Sequence, residues 1–426
     1  MNDNPVQASI ITIGDELMIG QVVDTNSAWI ASQLNAEGIW VRKRVSVGDN
    51  YEEMWKALEA ETLSSQLILI TGGLGPTADD ITKPFLCDYF GTTLIIDKEV
   101  LRHVQHLFEV VLKRPFIERN KKQAEVPASC TVIHNARGTA PGMLFEKDGV
   151  IYVSMPGVPH EMKGMMTDIV IPLIKEKLKT GTIVHRTLLL TGIGESFLAE
   201  HIQQWEEVLP RNFKLAYLPN HGLIRLRITG TGSDREAVVS ELNEHFESLK
   251  IIVKEWLVID EDLTMAQVIA RLLLQKKKFL GTAESCTGGY IAHLFTKEAG
   301  ASALFNGSII SYSNEVKINL LGVQQETLET KGAVSEDTVR EMAAGALKTL
   351  KSDYIVATSG IMGPDGGTSA KPIGTVWVAV GDKNNITTQL FQFRYDRIRN
   401  IEMTANSALN LLRKFLMGNE GLTSVS

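Results

Sequence analysis

Cysteine is scarce in this sequence, and no long hydrophobic run is present. The 426 residues include three cysteines, Cys87, Cys130 and Cys286, which are odd in number and far apart. This pattern argues against a disulfide framework or a zinc site and indicates a reducing compartment. Apolar runs such as SQLILITGG and VIYVSMPGV are too short to cross a membrane. The opening segment MNDNPVQAS lacks the basic and apolar regions of a secretory signal. We therefore expect a cytoplasmic protein without a membrane segment.

Positive charge is also in deficit. Lysine and arginine number 43 against 50 aspartate and glutamate, which gives a formal net charge of −7. This balance argues against a general nucleic-acid or anionic-membrane surface, so we expect neither partner. The composition, 44 % hydrophobic and 22 % charged, is that of ordinary globular proteins. The length predicts about two to four domains.

Strand-like and helix-like segments alternate along most of the chain. In the first part, apolar runs such as ASIITIG and QLILITGG alternate with amphipathic stretches. This rhythm predicts a mainly parallel sheet with helices on both faces. From about residue 173 the pattern becomes that of a compact α+β module, and α/β alternation returns after Thr264, a good helix cap. The predicted domains are therefore residues 1–172, 173–258 and 259–426, with α/β folds at both ends of the chain.

Glycines and acidic residues follow the predicted strands of the first domain. The stretch TGGLGPTADD comes directly after a strand, where glycines allow a ligand close to the backbone and N–H groups can bind an anion. Acidic residues also follow the first strand and, at Asp49, the second. Because the ends of parallel strands meet in one crevice, we expect a single site there. Carboxylates beside a phosphate need a cation such as Mg²⁺ between them. The candidates are Gly72, Gly73, Gly75 and Thr77 for the phosphate loop and Asp15, Glu16, Asp79 and Asp80 for the metal.

Alternatives remain open at several of these positions. Asp79 or Asp80 could simply cap a helix. Two further loops supply polar groups: Asn135, Arg137 and Thr139 could reach an anionic substrate, while His160 and Glu161 could either ligate a metal or start a helix after Pro159.

The first domain resembles a known family. The segments ITIGDELMIGQVVDTN, ITGGLGPTADDITK, NKKQAEVP, RGTAPGM and MPGVPHEM resemble the molybdopterin-binding-like domain that opens CinA proteins, the competence/damage-inducible family. The resemblance covers about residues 8–172 and implies a three-layer α/β fold. It also implies a metal-dependent ADP-ribose pyrophosphatase, which forms AMP and ribose 5-phosphate. Carried over, the acidic residues become metal-site candidates and residues 72–77 the phosphate loop.

The same resemblance implies a small KH-like α+β domain in the middle of the chain. A KH nucleic-acid site needs a G-x-x-G loop with basic flanks, and this segment has neither. Its TGIGES turn is also too short for a dinucleotide fingerprint. We therefore expect a spacer and an oligomer contact.

The stretch GTAESCTGGY holds three adjacent candidate nucleophiles, Ser285, Cys286 and Thr287, where a predicted strand turns into a helix. The first N–H groups of such a helix are free and can stabilise an oxyanion. A histidine base is poorly supported, since His293 is the only histidine after residue 260. A lysine of lowered pKa can replace it, and Lys317 is available, although it could also be a solvated helix residue. Cys286 has the character of a small buried side chain.

The last domain also resembles the CinA family. TAESCTGG, YSNEVK, GAVSEDTV, SGIMGPDGGT and KPIGTVWVAV resemble the CinA C-terminal domain over about residues 265–416, and that domain is similar to nicotinamide mononucleotide amidohydrolases. The resemblance implies Ser285 as nucleophile with Tyr312 and Lys317 as activating partners and no cofactor. Arg397 matches a substrate-site arginine, with Arg399 as the alternative. The implied substrate-binding set is Glu284, Thr287, Gly288, Gly289, Gly363, Gly366, Gly367 and Arg397.

Together, the two resemblances imply a bifunctional hydrolase of pyridine-nucleotide salvage. It would deamidate nicotinamide mononucleotide at the last domain and hydrolyse ADP-ribose at the first, and the resemblance implies a homodimer. A pterin- or nucleotide-binding adaptor with one or both sites inactive is the alternative. A thiol enzyme using Cys286 is a third possibility.

Overall fold

The computed structural model describes residues 6–77 and 80–418. By the contacts of their Cα atoms, these residues form two compact units. The first contains the residues up to His185 together with Pro210–Lys214 and Thr229–Glu244, and the second contains the other segments from Arg186 onward. In these two ranges no helix combines the length and the apolar character needed to cross a bilayer. The domain boundaries at 172/173 and 258/259 stay predictions.

The N-terminal part alternates strands and helices as the sequence predicts. Its elements are β1 (Gln7–Ile13), α1 (Asp15–Met18), α2 (Thr25–Ala36), β2 (Trp40–Val47), α3 (Tyr51–Thr62), β3 (Leu67–Thr71), α4 (Thr82–Phe90), β4 (Leu94–Ile96), α5 (Lys98–His106), α6 (Glu118–Lys121), β5 (Glu125–Pro127), β6 (Thr131–Ile133), β7 (Gly142–Lys147), β8 (Val150–Met155), α7 (Pro159–Met165) and α8 (Ile171–Lys177).

These elements surround a six-stranded sheet in the order β2-β1-β3-β8-β7-β6. The first four strands in this order are paired in parallel, β7 pairs antiparallel with β8, and β6 pairs antiparallel with β7, so the mainly parallel sheet is confirmed. In β3, Leu67 and Leu69 pack into one apolar cluster, whereas Ile68 and Ile70 pack into another. Because successive side chains of a strand point to opposite faces, both faces of this sheet are covered.

The middle of the chain has the expected α+β character. Its elements are β9 (Thr182–Thr191), α9 (Glu195–Glu207), β10 (Phe213–Asn220), β11 (Leu223–Gly232), α10 (Arg235–Ile252) and β12 (Leu257–Ile259). The strands form a sheet in the order β10-β11-β9-β12.

The C-terminal part returns to α/β alternation. Its elements are α11 (Met265–Lys276), β13 (Leu280–Glu284), α12 (Tyr290–Thr296), β14 (Phe305–Ile310), α13 (Asn314–Leu321), α14 (Gln325–Thr330), α15 (Glu336–Leu350), β15 (Tyr354–Gly360), β16 (Thr375–Gly381), β17 (Ile386–Gln392) and α16 (Arg397–Met417). The five-stranded sheet has the order β14-β13-β15-β16-β17. Strands β14, β13 and β15 are parallel, β16 pairs antiparallel with β15, and β17 pairs antiparallel with β16.

Candidate active sites

The first candidate site lies where four parallel strands of the N-terminal sheet end together. The registers pair Ile13 with Val47 and Thr71 with Met155 at the carboxyl ends of these strands. The loops that follow line a cavity of about 390 Å³. Gly72 in one of them has φ +117°, and a Cβ there would lie 2.1 Å from the carbonyl oxygen of Ile13. Only glycine fits where this loop passes the end of β1.

Four acidic side chains line this cavity, and no lysine or arginine does so among the described residues. The acidic residues are Glu16, Asp49, Asp80 and Glu161, and Thr139 and the glycines of residues 72–75 also line it. The predicted convergence of strand-end acids and glycines is therefore found, with Glu161 as an additional member. Asn135 Nδ2 donates to Glu161 Oε2 at 2.7 Å, and burial raises the pKa of Glu161.

Other predicted residues of this region hold the loops together. The Asp15 carboxylate accepts the Asp49 N–H at 3.0 Å, and the Asp49 carboxylate accepts the Asp15 N–H at 3.1 Å. This pair joins the ends of β1 and β2 because each side chain caps the other's backbone. Arg137 forms an exposed ion pair with Asp168 and does not line the cavity.

The glycine loop does not offer all of its N–H groups to a ligand. The Gly75 and Thr77 N–H groups both donate to the Asp80 carboxylate, at 2.8 Å each, and the Gly72 N–H donates to Met155. The Asp80 carboxylate thus links two backbone positions of its own loop. The Gly75 and Thr77 N–H groups, which we expected to bind phosphate, are already hydrogen-bonded to it. Asp80 does not cap α4, which begins at Thr82 without a side-chain cap. Asp79 lies outside the described residues.

The described residues contain no group of three or more histidine, cysteine, aspartate or glutamate side chains arranged to hold a metal ion. The acidic side chains around the cavity are nevertheless hard oxygen donors of the kind that Mg²⁺ prefers. Mg²⁺ is commonly held by one or two carboxylates together with water and substrate phosphates. The donor set therefore fits an ion that arrives with a phosphorylated ligand better than a permanently caged one.

Gln123 is a cavity residue that the sequence reasoning missed. It lines the same cavity from the segment between α6 and β5. NKKQAEVP, which contains Gln123, contributed to the family resemblance, but no chemistry was predicted for it. A single neutral side chain far from the glycine loop in sequence gives no local signal.

The second candidate site lies at the corresponding edge of the C-terminal sheet. Glu284, the last residue of β13, pairs with Ile310 of β14 and with Thr358 of β15. Ser285 follows immediately, and the loop before α13 begins beside it. The three predicted segments around Ser285, Tyr312 and Gly363 therefore start from neighbouring parallel strands, as the rule for such sheets requires.

Lys317 is buried beside Ser285. Only 1 % of Lys317 is exposed, and its Nζ lies 3.0 Å from Ser285 Oγ, 2.7 Å from the Ser311 carbonyl oxygen and 3.3 Å from the Tyr312 carbonyl oxygen. No described carboxylate forms an ion pair with it. Burial lowers the pKa of Lys317, since desolvation disfavours the charged amine. The alternative of a solvated helix lysine is therefore wrong.

Glu284 binds the start of α12, and its implied part in substrate binding stays a prediction. Its side chain is fully buried, and its two carboxyl oxygens accept the N–H groups of Gly289, Ile291 and Ala292 at 2.8–3.1 Å. The expectation that the first N–H groups of α12 are free is therefore wrong for these three. Glu284 uses them to fix the end of β13 against the start of the helix, which holds the Ser285 loop in place.

The residues after Ser285 complete this turn. Cys286 is buried in the apolar core, and burial raises the pKa of its thiol to about 12. The prediction that Cys286 faces the interior is confirmed. Thr287 Oγ1 is hydrogen-bonded to Thr358 Oγ1 at 2.8 Å. In the described chain, no hydrogen bond joins the N–H groups of Cys286 and Thr287 to another residue, so both are candidates for oxyanion donors.

Arg397 reaches this site through Tyr312. Arg397 Nη2 donates to the Tyr312 hydroxyl at 3.0 Å, and Nη1 donates to the Gly363 carbonyl oxygen at 2.8 Å. Tyr312 is 64 % exposed, and its hydroxyl contacts Arg397 instead of Ser285. Arg399 instead stacks on the Tyr395 ring, 4.0 Å from its centre. Of the two arginines, Arg397 is therefore the one that contacts Tyr312 and Gly363, and its contact with substrate stays a prediction.

These features describe a class of protein: a mixed α/β chain with a KH-like middle domain, an acidic strand-end cavity and a serine–lysine pair. Comparison with known proteins identifies three matching parts of the chain. Residues 9–176 match the family model described as "Probable molybdopterin binding domain", residues 185–258 match "Damage-inducible protein CinA KH domain", and residues 262–416 match "CinA C-terminal domain".

Relatives that match nearly the whole chain identify its family. The chain is 44 % identical to a CinA-like protein of Cytophaga hutchinsonii over 96 % of this chain and 98 % of that protein. It is 41 % identical to a CinA-like protein of Flavobacterium psychrophilum over 97 % and 99 % of the two chains. The chain belongs to the CinA family. A crystal structure of a competence/damage inducible protein from Agrobacterium tumefaciens matches 35 % of this chain and 91 % of its own, with 38 % identity and a TM-score of 0.34.

Proposed function

We propose that the C-terminal site hydrolyses the carboxamide of nicotinamide mononucleotide to give nicotinate mononucleotide and ammonia. The observation that carries this proposal is the buried Lys317 Nζ, which lies 3.0 Å from Ser285 Oγ and has no carboxylate partner among the residues that the structure describes. A desolvated lysine of lowered pKa is the known substitute for histidine as a base for serine.

In this reaction Ser285 Oγ attacks the carboxamide carbon while neutral Lys317 accepts the hydroxyl proton. The tetrahedral oxyanion is stabilised by the N–H groups of Cys286 and Thr287. When the C–N bond breaks, the Lys317 ammonium returns its proton to the leaving nitrogen, and ammonia departs from an acyl-serine ester. Water then attacks the ester with Lys317 again as base, which releases the carboxylic acid and restores Ser285.

Arg397 would bind the phosphate of this substrate. Its guanidinium is held by two neutral acceptors, the Gly363 carbonyl and the Tyr312 hydroxyl, and forms no ion pair with a described carboxylate. A guanidinium with unused charge is suited to a phosphate. Tyr312 joins both ends of the site, because its carbonyl accepts from Lys317 and its hydroxyl accepts from Arg397.

The test is ammonia release from nicotinamide mononucleotide by the native chain and by Ser285→Ala. We expect Ser285→Ala to lower the rate by about a thousandfold or more, since the nucleophile is removed. Ser308→Ala is the matched control, because the Ser308 hydroxyl on β14 is also buried but has no partner. If the native protein releases no ammonia, the proposed deamidase activity is wrong, and a nucleotide-binding adaptor without activity at this site is favoured instead. If Cys286→Ser is inactive and Ser285→Ala is active, the nucleophile is the thiol.

We propose, as a second function, that the N-terminal cavity hydrolyses ADP-ribose to AMP and ribose 5-phosphate. Its support is the set of acidic side chains at the strand ends beside the glycine loop. A divalent ion such as Mg²⁺, when bound, would neutralise the pyrophosphate and activate water. One or two of the cavity carboxylates Glu16, Asp49 and Asp80, together with water and the substrate phosphates, would hold it. The Gly73 and Leu74 backbone would approach the phosphates, since glycine allows that closeness.

AMP formation from ADP-ribose, with and without added Mg²⁺, tests this second function. Asp80→Asn is expected to abolish it, because the variant loses a carboxylate at the cavity and weakens the loop that Asp80 closes. Asp148→Asn, in the exposed turn between β7 and β8, makes the same chemical change away from the cavity. Undiminished, metal-dependent turnover by Asp80→Asn would remove Asp80 from the proposal. The homodimer implied by the family resemblance stays a prediction, which the mass of the chain in solution tests.

A further inference from the structure

Gln123 lines the N-terminal cavity and carries a buried amide oxygen without a hydrogen-bond partner among the described residues. The residue is 3 % exposed, and the unpartnered atom is Oε1. Buried polar atoms in folded proteins are nearly always paired, so an unpaired one needs an explanation. An amide oxygen kept in this state beside a cavity indicates a donor supplied by a ligand.

The fold fixes the backbone of Gln123 firmly. The buried Lys83, in the first turn of α4, donates from Nζ to the carbonyl oxygens of Gln123 and Lys122, at 3.0 Å and 3.5 Å. This contact ties the segment before β5 to the helix that follows the glycine loop. This long-range contact therefore holds the main chain of Gln123 beside the cavity.

The chemistry of the cavity defines what Oε1 can meet there. Its four acidic side chains are acceptors, and no lysine or arginine lines it in the described residues. An amide oxygen adds one more acceptor. The complementary part of a ligand is one rich in O–H donors, and in a dinucleotide these donors are the hydroxyls of ribose.

We propose that Gln123 Oε1 accepts a hydrogen bond from a ribose hydroxyl of the ligand, so that this cavity distinguishes ribose from deoxyribose. This inference rests on the proposed nucleotide chemistry of the N-terminal site and names the part of the substrate that the site recognises. Gln123 acts in binding and takes no part in breaking the pyrophosphate bond. Direct coordination of a metal ion by Oε1 is the competing role.

Calorimetric binding to the full chain tests this proposal in the presence of Mg²⁺. The probes are ribose 5-phosphate, AMP and their 2-deoxy and 2′- or 3′-deoxy analogues; none of them has a pyrophosphate bond to hydrolyse. For the native chain we expect at least one deoxy analogue to bind about tenfold more weakly than its parent, the effect of one unpaired buried group. For Gln123→Met we expect the parent to weaken to the level of that analogue and the discrimination to disappear.

Control variants separate recognition from damage to the fold. Gln105→Met makes the same change on the exposed face of α5 and should keep the native discrimination. If Gln123→Met does not fold, Gln123→Asn is the substitute. It withdraws the amide by one methylene and should also lose the discrimination between ribose and deoxyribose. Thermal unfolding of each variant identifies those that are folded.

Several results would overturn the inference. It fails if the folded Gln123 variant still distinguishes ribose from deoxyribose, if it weakens both ligands equally, or if the native chain binds none of the probes. Loss of Mg²⁺ affinity with native discrimination would assign Gln123 to the metal instead. Absence of AMP formation from ADP-ribose would refute the pyrophosphatase activity. If the native chain still distinguished ribose from deoxyribose, the proposed ribose recognition by Gln123 would remain supported.

Discussion

Replacing Lys317 by methionine removes the proposed base while keeping a long side chain in its place. General-base catalysis contributes about 10²–10⁴-fold, which corresponds to about 3–5 kcal/mol of activation free energy. We therefore expect kcat/KM for nicotinamide mononucleotide to fall by that factor. The Ser311 and Tyr312 carbonyls lose their donor from Nζ, at a cost of about 1 kcal/mol each in the free energy of unfolding. Removal of a desolvated amine partly offsets this cost.

The loss of activity should therefore exceed what the small change in stability explains. Ammonia release measures kcat/KM, and urea unfolding measures the free energy of unfolding of the same preparation. Lys348→Met, on the exposed face of α15, is the matched control and should change neither by much. A Lys317→Met protein that keeps more than about a tenth of native activity would refute the general-base role, since even weak base catalysis exceeds that factor.

The pH profile gives a second measurement of the same prediction. Lys317 accepts a proton only when neutral, so the native rate should rise with pH through the pKa of Lys317. Burial places this pKa below the 10.5 of an ordinary lysine, so the rise should come at lower pH than for a solvated amine. At lower pH the protonated amine cannot act and the rate falls. If Lys317→Met retains the same rising limb, another group is the base.

Two further substitutions test the residues around this site. Glu284→Ala removes the acceptor of three N–H groups at the start of α12. The free energy of unfolding should therefore drop by about 3 kcal/mol or more, and a loss below about 1 kcal/mol in urea unfolding would contradict the stabilising role of Glu284. Arg397→Met should lower kcat/KM for nicotinamide mononucleotide by about 10–100-fold but not for nicotinamide riboside, which has no phosphate. Arg399→Met should not change this ratio, and an equal loss with both substrates would exclude phosphate recognition.

Local sequence pattern predicted the α/β alternation of the C-terminal part and the point where it begins. Thr264, expected to be a helix cap, accepts the Gln267 N–H at the start of α11. Strand β17 was missed, because its mixed polar sequence ITTQLFQ gives little burial signal in a largely exposed strand. With β17 missing, the antiparallel edge of this sheet was not predicted.

The sites were predictable only as sets of candidate residues. Strand ends followed by glycines and acids indicated both edges, because topology brings the ends of parallel strands together. The partner of each polar atom was not predictable. Asp80 could have met a ligand, capped α4 or closed its own loop, and the last occurs. Gln123 gave no local signal, since its position depends on the contact of its carbonyl with Lys83.

The sequence by itself determined the order of strands and helices, the turn that carries Ser285 and the membership of the CinA family. These properties depend on hydrophobic period, glycine placement and motifs a few residues long. The tertiary structure decided the state of Lys317 and the use of Glu284. A pKa and a hydrogen bond depend on which groups exclude water from a side chain, and those groups come from strands and helices distant in sequence.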